Sequence, residues 1–142
     1  MTSLTLNKDI PFYPTYETEV QGHVTIWWFV KDFSQSRFNF KSVSIGSNAC
    51  TIITVLLAAR CHYENIKVTS INDLELNPAL VCAFAESILE GNEIHEKLRT
   101  NGALEHVNLT VPEAIQSAGK RLRYMKEWKN QYYLFFKMNQ LW

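Results

Sequence analysis

Polar and apolar residues in the first third of the chain follow patterns typical of β-strands. Residues 20–33 are rich in β-branched and aromatic side chains, and their lack of clean alternation predicts a strand that is buried on both faces or belongs to a covered sheet. Residues 38–45 alternate like a half-buried strand. Two prolines keep residues 10–16 extended. These patterns predict a small antiparallel sheet within residues 10–45.

Later segments carry helical patterns. Residues 49–61 are apolar nearly all round, which is typical of a buried central helix. A second helix is predicted to begin at Asn77-Pro78 and to end at Gly91, because Asn caps, Pro suits the first turn and Gly favours the C-terminus. A further helical turn or two is expected over residues 92–99.

A capping-box sequence, Thr110-Val111-Pro112-Glu113, predicts a third helix over residues 112–128. A short strand is expected at 105–109, and residues 132–142 are compatible with a strand or a helix. The predicted class is therefore α+β: a small antiparallel sheet, to which the 104–110 strand or the tail is a candidate addition, packed on three or more helices around helix 49–61.

Length and charge limit the organisation and the partners. With 142 residues, 46% of them hydrophobic, the chain is expected to form a single domain, 1–142, with residues 1–9 disordered. The closing Leu141-Trp142 is also compatible with one domain cut from a longer chain. The formal net charge of zero disfavours nucleic acid as a partner, and no segment suits a signal peptide or a membrane span.

The three cysteines, Cys50, Cys61 and Cys82, are odd in number and lack CxxC spacing. This pattern predicts free thiols in a reducing compartment, and hence an intracellular, cytoplasmic protein. No metal site or cofactor is expected, because Glu93, His95 and Glu96 form an ordinary surface pattern with His95 in solvent.

Cys50 is the best candidate for catalysis. Gly46 permits a tight turn, and Ser47 or Asn48 can cap the helix, which places Cys50 in its first turn, where the dipole stabilises a thiolate. A thiol nucleophile also needs a base and a group to orient that base. His106 is the best-placed base in chain order; Asn108 is the nearest candidate orienting residue, with Asn130 and Asn139 as alternatives.

The segment around Cys50, Ile-Gly-Ser-Asn-Ala-Cys-Thr-Ile, resembles the nucleophile segment of ubiquitin C-terminal hydrolases and, more distantly, papain-like cysteine peptidases. The resemblance implies a papain-like core with a cysteine nucleophile. It covers about ten residues, and Ser44 stands where that family has its oxyanion glutamine. The departure favours a domain without catalytic activity.

The C-terminal part combines basic and aromatic residues. Such residues are enriched at protein interfaces, so this region is the predicted partner-binding surface. Its candidate residues are Arg121, Tyr124, Trp128, Tyr132 and Trp142. A solvated helix face and a plain core strand are the alternatives, as is a homodimer through the aromatic segment. The favoured function is a non-catalytic protein-interaction or adaptor domain; the alternative is a thiol hydrolase with Cys50 as nucleophile and His106 as base.

Overall fold

The computed structural model describes residues 9–41, 46–67, 74–130 and 133–138. Its elements in chain order are β1 (Tyr16–Gln21), β2 (Val24–Phe29), α1 (Cys50–Tyr63), α2 (Pro78–Thr100), α3 (Val111–Ser117), a 3₁₀ turn (Gly119–Leu122), β3 (Met125–Asn130) and β4 (Tyr133–Met138). The strands form two separate antiparallel hairpins, β1–β2 and β3–β4. Three helices with small antiparallel sheets confirm the predicted α+β class.

Helix α1 is the centre of the core, as its apolar sequence predicts. On one side, Ile52 and Leu56 pack with Ala114 of α3 and with Leu122 of the 3₁₀ turn. On another side, Ile53 packs with Ala85 and Ile88 of α2. Because α1 is covered on several sides, it requires apolar residues around most of its circumference.

Helix α2 begins as predicted but continues past Gly91. The Asn77 side chain accepts a hydrogen bond from the Ala79 amide (3.0 Å), which caps the first turn. A Cβ atom at Gly91 would lie 2.5 Å from Cγ1 of Ile53 and 3.2 Å from its backbone nitrogen. The predicted helix end at Gly91 is wrong, because this glycine lets α1 and α2 approach closely instead of ending a helix.

The β1–β2 hairpin replaces the single strand predicted over residues 20–33. Gln21 pairs with Val24, which leaves a two-residue turn of Gly22 and His23. Gly22 has a φ of 61°, the conformation that a type II′ turn requires at its first position. The prediction missed this turn because β-branched and aromatic residues flank it closely.

An aromatic cluster attaches the hairpin to the chain that follows it. The Tyr16 and Phe29 rings lie opposite each other with centroids 5.5 Å apart, and Phe29 contacts Phe33 at 4.9 Å. Phe33 in turn meets Phe38 edge-on at 5.0 Å. Phe38, which also meets Phe12, is fully buried.

Two further predicted strands are wrong where the structure describes them. Residues 38–41 form turns. The Phe38 amide donates a hydrogen bond to the Ser34 carbonyl, and this bond folds Phe38 back onto the ring cluster. Residues 42–45 lie outside the described residues. Residues 105–109 belong to a mostly exposed loop and pair with no strand in the described part of the chain. Segment 104–110 therefore does not extend a sheet.

The helix predicted over residues 112–128 is wrong beyond Ser117. Gly119 adopts a φ of 60°, which ends the α-helix and leads through the 3₁₀ turn into β3. Ala118, Leu122 and Met125 still enter the core beside α1, so the apolar spacing is satisfied by a different backbone path. Within the tail, β4 is a strand; the predictions for residues 1–8, Tyr132 and Trp142 lie outside the described residues.

Candidate functional site

Cys50 is the first residue of α1, and its side chain is exposed. A ring of polar contacts holds the preceding loop: the Ser47 hydroxyl donates to Oδ1 of Asn92, and Nδ2 of Asn92 donates to the Gln35 carbonyl (2.7 Å). Nε2 of Gln35 closes the ring by donating to the Ser47 carbonyl (2.7 Å). The loop geometry at Cys50 is therefore fixed by α2 and by the turn that precedes Phe38.

The three cysteines are free, and they differ in environment. Burial raises the pKa of the Cys61 and Cys82 thiols, and the nearby carboxylates of Glu64 and Glu86 add to that effect. Cys50 is the one exposed thiol among them. Within the described part of the chain, no hydrogen bond joins its Sγ to an imidazole or another group.

A groove lies beside the loop that precedes Cys50. Gly46 and Asn48 form part of its wall, and Glu105 and His106 form another part, around a volume of about 460 Å³. Cys50 itself is not among the lining residues, and Asn108 is exposed farther along the loop. The structure thus brings the predicted base to the same groove as the residues before Cys50, without a contact between the base and the thiol.

His95 is buried, so its predicted position in solvent is wrong. Its Nε2 lies 3.0 Å from the carbonyl oxygen of Val107. Because a carbonyl only accepts, the N–H of this imidazole is the donor. The bond holds the loop that carries His106 and Asn108 against α2.

An ion pair on α2, Arg99 with Glu96, borders the same groove. Arg99 donates to both carboxylate oxygens of Glu96, at 2.9 and 2.6 Å. The hydrogen bond from Arg99 lowers the pKa of Glu96, and the same bond raises the pKa of Arg99. A second cavity of about 340 Å³ shares this pair with the groove.

The structure places the predicted C-terminal binding residues unevenly. Nη1 of Arg121 lies 3.0 Å from Oε1 of Glu90, so this guanidinium is joined to α2 while its side chain stays half exposed. Tyr124 is half-buried beneath the guanidinium of Arg123, 4.4 Å from the ring centroid. Trp128 lies in β3, opposite Phe135 in the register.

A buried ionic cluster between α1 and α2 escaped prediction. Arg60, only 7% exposed, donates to Glu86 (3.3 Å), to the Ser87 hydroxyl (3.1 Å) and to Glu90. Arg121 binds the second oxygen of Glu90. The signal in the sequence is a single arginine that follows the apolar run Val55–Ala59, but its three partners lie 26 to 30 residues away. This cluster ties together α1, α2 and the 3₁₀ turn.

The hairpin β1–β2 also exposes a face that the sequence analysis missed. We call it the outer face. Cross-strand pairs define its six residues: Glu17 with Trp28, Glu19 with Ile26, and Gln21 with Val24. Val24 and Trp28 are each 58% exposed, although both are large and apolar.

Polar contacts order the acidic half of the outer face. The Trp28 indole N–H donates to one Glu19 oxygen (3.0 Å), and the Gln21 amide donates to the other (2.6 Å). These hydrogen bonds lower the pKa of Glu19 and favour its ionised form. In the sequence, the polar residues Glu17, Glu19 and Gln21 stand at every second position. This alternation could have revealed the face, provided that the turn at Gly22 had been recognised.

Comparisons with protein-family models, curated proteins and solved structures find no match to this chain. Among the described residues, no group of three or more His, Cys, Asp or Glu side chains is placed to hold a metal ion. None of the described helices has both the length and the apolar character that a membrane crossing requires.

Proposed function

We propose that this chain is a non-catalytic protein-interaction domain of the adaptor kind, and that it binds a partner through the outer face. The observation that carries the proposal is the exposure of Val24 and Trp28 on one face of β2, with Ile26 between them. Adjacent exposed apolar residues bordered by polar groups are typical of protein-binding surfaces, and tryptophan is enriched at their energetic centres.

The opposite face of the hairpin supports this assignment. There, the Thr18 hydroxyl and the Trp27 indole N–H both donate to the Leu74 carbonyl, each at 3.1 Å. The hydroxyl of Tyr16 accepts from the Leu76 amide (3.1 Å). These contacts and the aromatic cluster attach the hairpin through this opposite, inner face, and the described residues leave Val24 and Trp28 of the outer face exposed.

Capture of partners from cells tests the proposal. The double variant Val24→Thr/Trp28→Thr is expected to lose specific partners that the wild type retains, with little change in melting temperature. Val107→Thr is the matched control, since Val107 is 60% exposed and lies far along the chain from the hairpin. Loss of the same partners from the control, or an unchanged set with the double variant, would contradict the outer face as the binding surface.

The groove beside Cys50 favours a second candidate, a thiol hydrolase of the papain or ubiquitin-hydrolase type. Here Cys50 would be the nucleophile, His106 the base and Asn108 the group that orients it. The supporting observation is that His106 and Asn48 line the same groove, and that Asn48 precedes the exposed Cys50 by two residues. A base that contacts the thiol would take its proton, and the resulting thiolate would be reactive near neutral pH.

Thiol labelling separates this candidate from the first. A hydrolase predicts rapid reaction of Cys50 with iodoacetamide near neutral pH, abolished by Cys50→Ser and slowed by about tenfold or more in His106→Gln. His23→Gln is the control, because His23 lies in the turn of the β1–β2 hairpin. If Cys50 reacts equally fast with and without His106, this candidate is wrong.

We further propose an intracellular, cytoplasmic location. It is supported by the odd number of cysteines and by the half-buried thiols of Cys61 and Cys82. Alkylation of the protein inside cells, followed by mass spectrometry, should find all three cysteines free. A disulfide involving any of them would contradict the proposal.

A further inference from the structure

Two segments of this formally neutral chain carry charge of opposite sign. The β1–β2 hairpin, residues 16–29, contains Glu17 and Glu19 and no lysine or arginine. Residues 120–129 contain five basic residues and one acidic residue. Two regions of opposite charge therefore coexist in a molecule whose net charge of zero gives no overall repulsion between copies.

The positive region is exposed where its side chains are described. Lys120 and Lys126 are exposed, as is Arg123, which covers the Tyr124 ring. We call these three side chains, with Tyr124, the basic surface. Arg121 is bound to Glu90, so it contributes less free charge than its neighbours.

We propose that the outer face binds the basic surface of a second copy of this chain. The inference rests on the proposed function, since it names the partner of the same face. Glu17 and Glu19 supply the negative charge, and Val24 and Trp28 supply apolar area for Tyr124 and the aliphatic stems of the basic side chains. The two surfaces are therefore opposite in charge.

The two surfaces differ, so the association is heterologous and each copy has one of each. A bound pair therefore still exposes an outer face at one end and a basic surface at the other, and further copies can add. Each strand of the hairpin has six residues, so the outer face is about 20 Å long. A surface of that size gives a weak, salt-sensitive association rather than a permanent dimer.

Sedimentation velocity over about 5 to 500 µM protein tests the inference at low and high salt. The wild type is expected to rise above the 16.5 kDa monomer mass as concentration increases at low salt, and to return toward it at high salt. Glu17→Lys/Glu19→Lys should remain monomeric, and so should Lys120→Glu/Lys126→Glu. The control Glu64→Lys/Glu105→Lys reverses two exposed carboxylates elsewhere and should associate like the wild type.

Mixing the two monomeric variants provides the decisive result. The first retains an intact basic surface and the second an intact outer face, and the two reversed surfaces are also opposite in charge to each other. The mixture should therefore associate at low salt although neither variant does so alone, and Trp28→Ser in the second variant should weaken that association. Melting temperatures close to that of the wild type establish that both variants are folded.

A wild type that remains monomeric throughout, or a mixture that does not associate, overturns self-association. If the Val24→Thr/Trp28→Thr variant nevertheless loses partners in cells, the outer face binds a different protein and the proposed function stands without this inference. If wild-type association persists in Glu17→Lys/Glu19→Lys, the contact lies elsewhere and the inference is wrong.

Discussion

Two residues show most clearly how the core depends on individual side chains. Gly91 has a role that its neighbours on α2 lack, because α1 passes so close that even a methyl group would collide with Ile53. Arg60 places a positive charge among the buried residues of α1, the others of which are apolar, and three groups on α2 compensate for its burial. Both residues act at the contact between α1 and α2, so both should affect the stability of the whole core.

Gly91→Ala should destabilise the fold by about 1–3 kcal/mol despite the higher helix propensity of alanine. The new methyl group would lie 2.5 Å from Ile53 Cγ1 and 3.3 Å from its Cα, and the backbone atoms have little room to move. Urea denaturation measures the change in the free energy of unfolding. Gly46→Ala is the control, because a Cβ at Gly46 would meet nothing within 4 Å; equal effects of both variants would contradict the close approach.

Arg60→Met should lower the free energy of unfolding by about 3 kcal/mol or more, because it leaves the carboxylates of Glu86 and Glu90 with less compensation in a buried site. Arg99→Met removes an exposed ion pair with Glu96 and should lower the free energy of unfolding far less than Arg60→Met does, because solvent screens exposed pairs. The comparison is made by urea denaturation at neutral pH. Similar losses for the two variants would show that Arg60 is not buried in the protein in solution.

At the scale of elements, local signals fix where helices begin more firmly than where they end. The Asn77 cap and the residues around Thr110 mark the starts of α2 and α3 correctly. The end of α3 depends on Gly119, whose positive φ is compatible with a helix C-terminus. The apolar spacing of Leu122 and Met125 does not require that the helix end there.

Glu113 allows the start of α3 to be tested by pH. Its carboxylate accepts from the Thr110 hydroxyl and amide, both at 2.7 Å, and these bonds lower its pKa. A pKa lowered by folding stabilises the protein above the ordinary carboxyl value of 4.5, and the contribution is lost as the pH falls through the folded-state pKa. Glu113→Gln should therefore melt below the wild type at pH 7, and the difference should shrink as the medium becomes acidic. A difference independent of pH would contradict a role for the charge.

The class of the fold and the central position of α1 followed from the sequence, because an apolar segment of helical length has to be buried. The hairpin turn at Gly22 did not, since one glycine within a run of strand-forming residues is a weak signal. Partners distant in sequence escaped prediction for a different reason. Arg60 with Glu90, His95 with the Val107 carbonyl, and Trp28 with Glu19 meet only after the chain has folded, and no local pattern specifies them.

At the scale of the whole molecule, some parts of the surface hold the fold together and others are the parts that we propose bind partners. The contact between α1 and α2, the 3₁₀ turn and the inner face of the β1–β2 hairpin form the first group. The outer face and the basic surface form the second, and they carry opposite charge. Whether the outer face is truly free decides the proposed function and the further inference together.

Two adjacent tryptophans provide the most direct measurement of that division. Trp27 lies on the inner face and donates to the Leu74 carbonyl, whereas Trp28 lies on the outer face and is 58% exposed. Urea denaturation at low protein concentration measures the free energy of unfolding of each alanine variant. Trp27→Ala should lower it by about 2 kcal/mol, and Trp28→Ala should lower it by less than about 1 kcal/mol. A loss for Trp28→Ala as large as that for Trp27→Ala would mean that the outer face is packed within the monomer, and it would contradict the account.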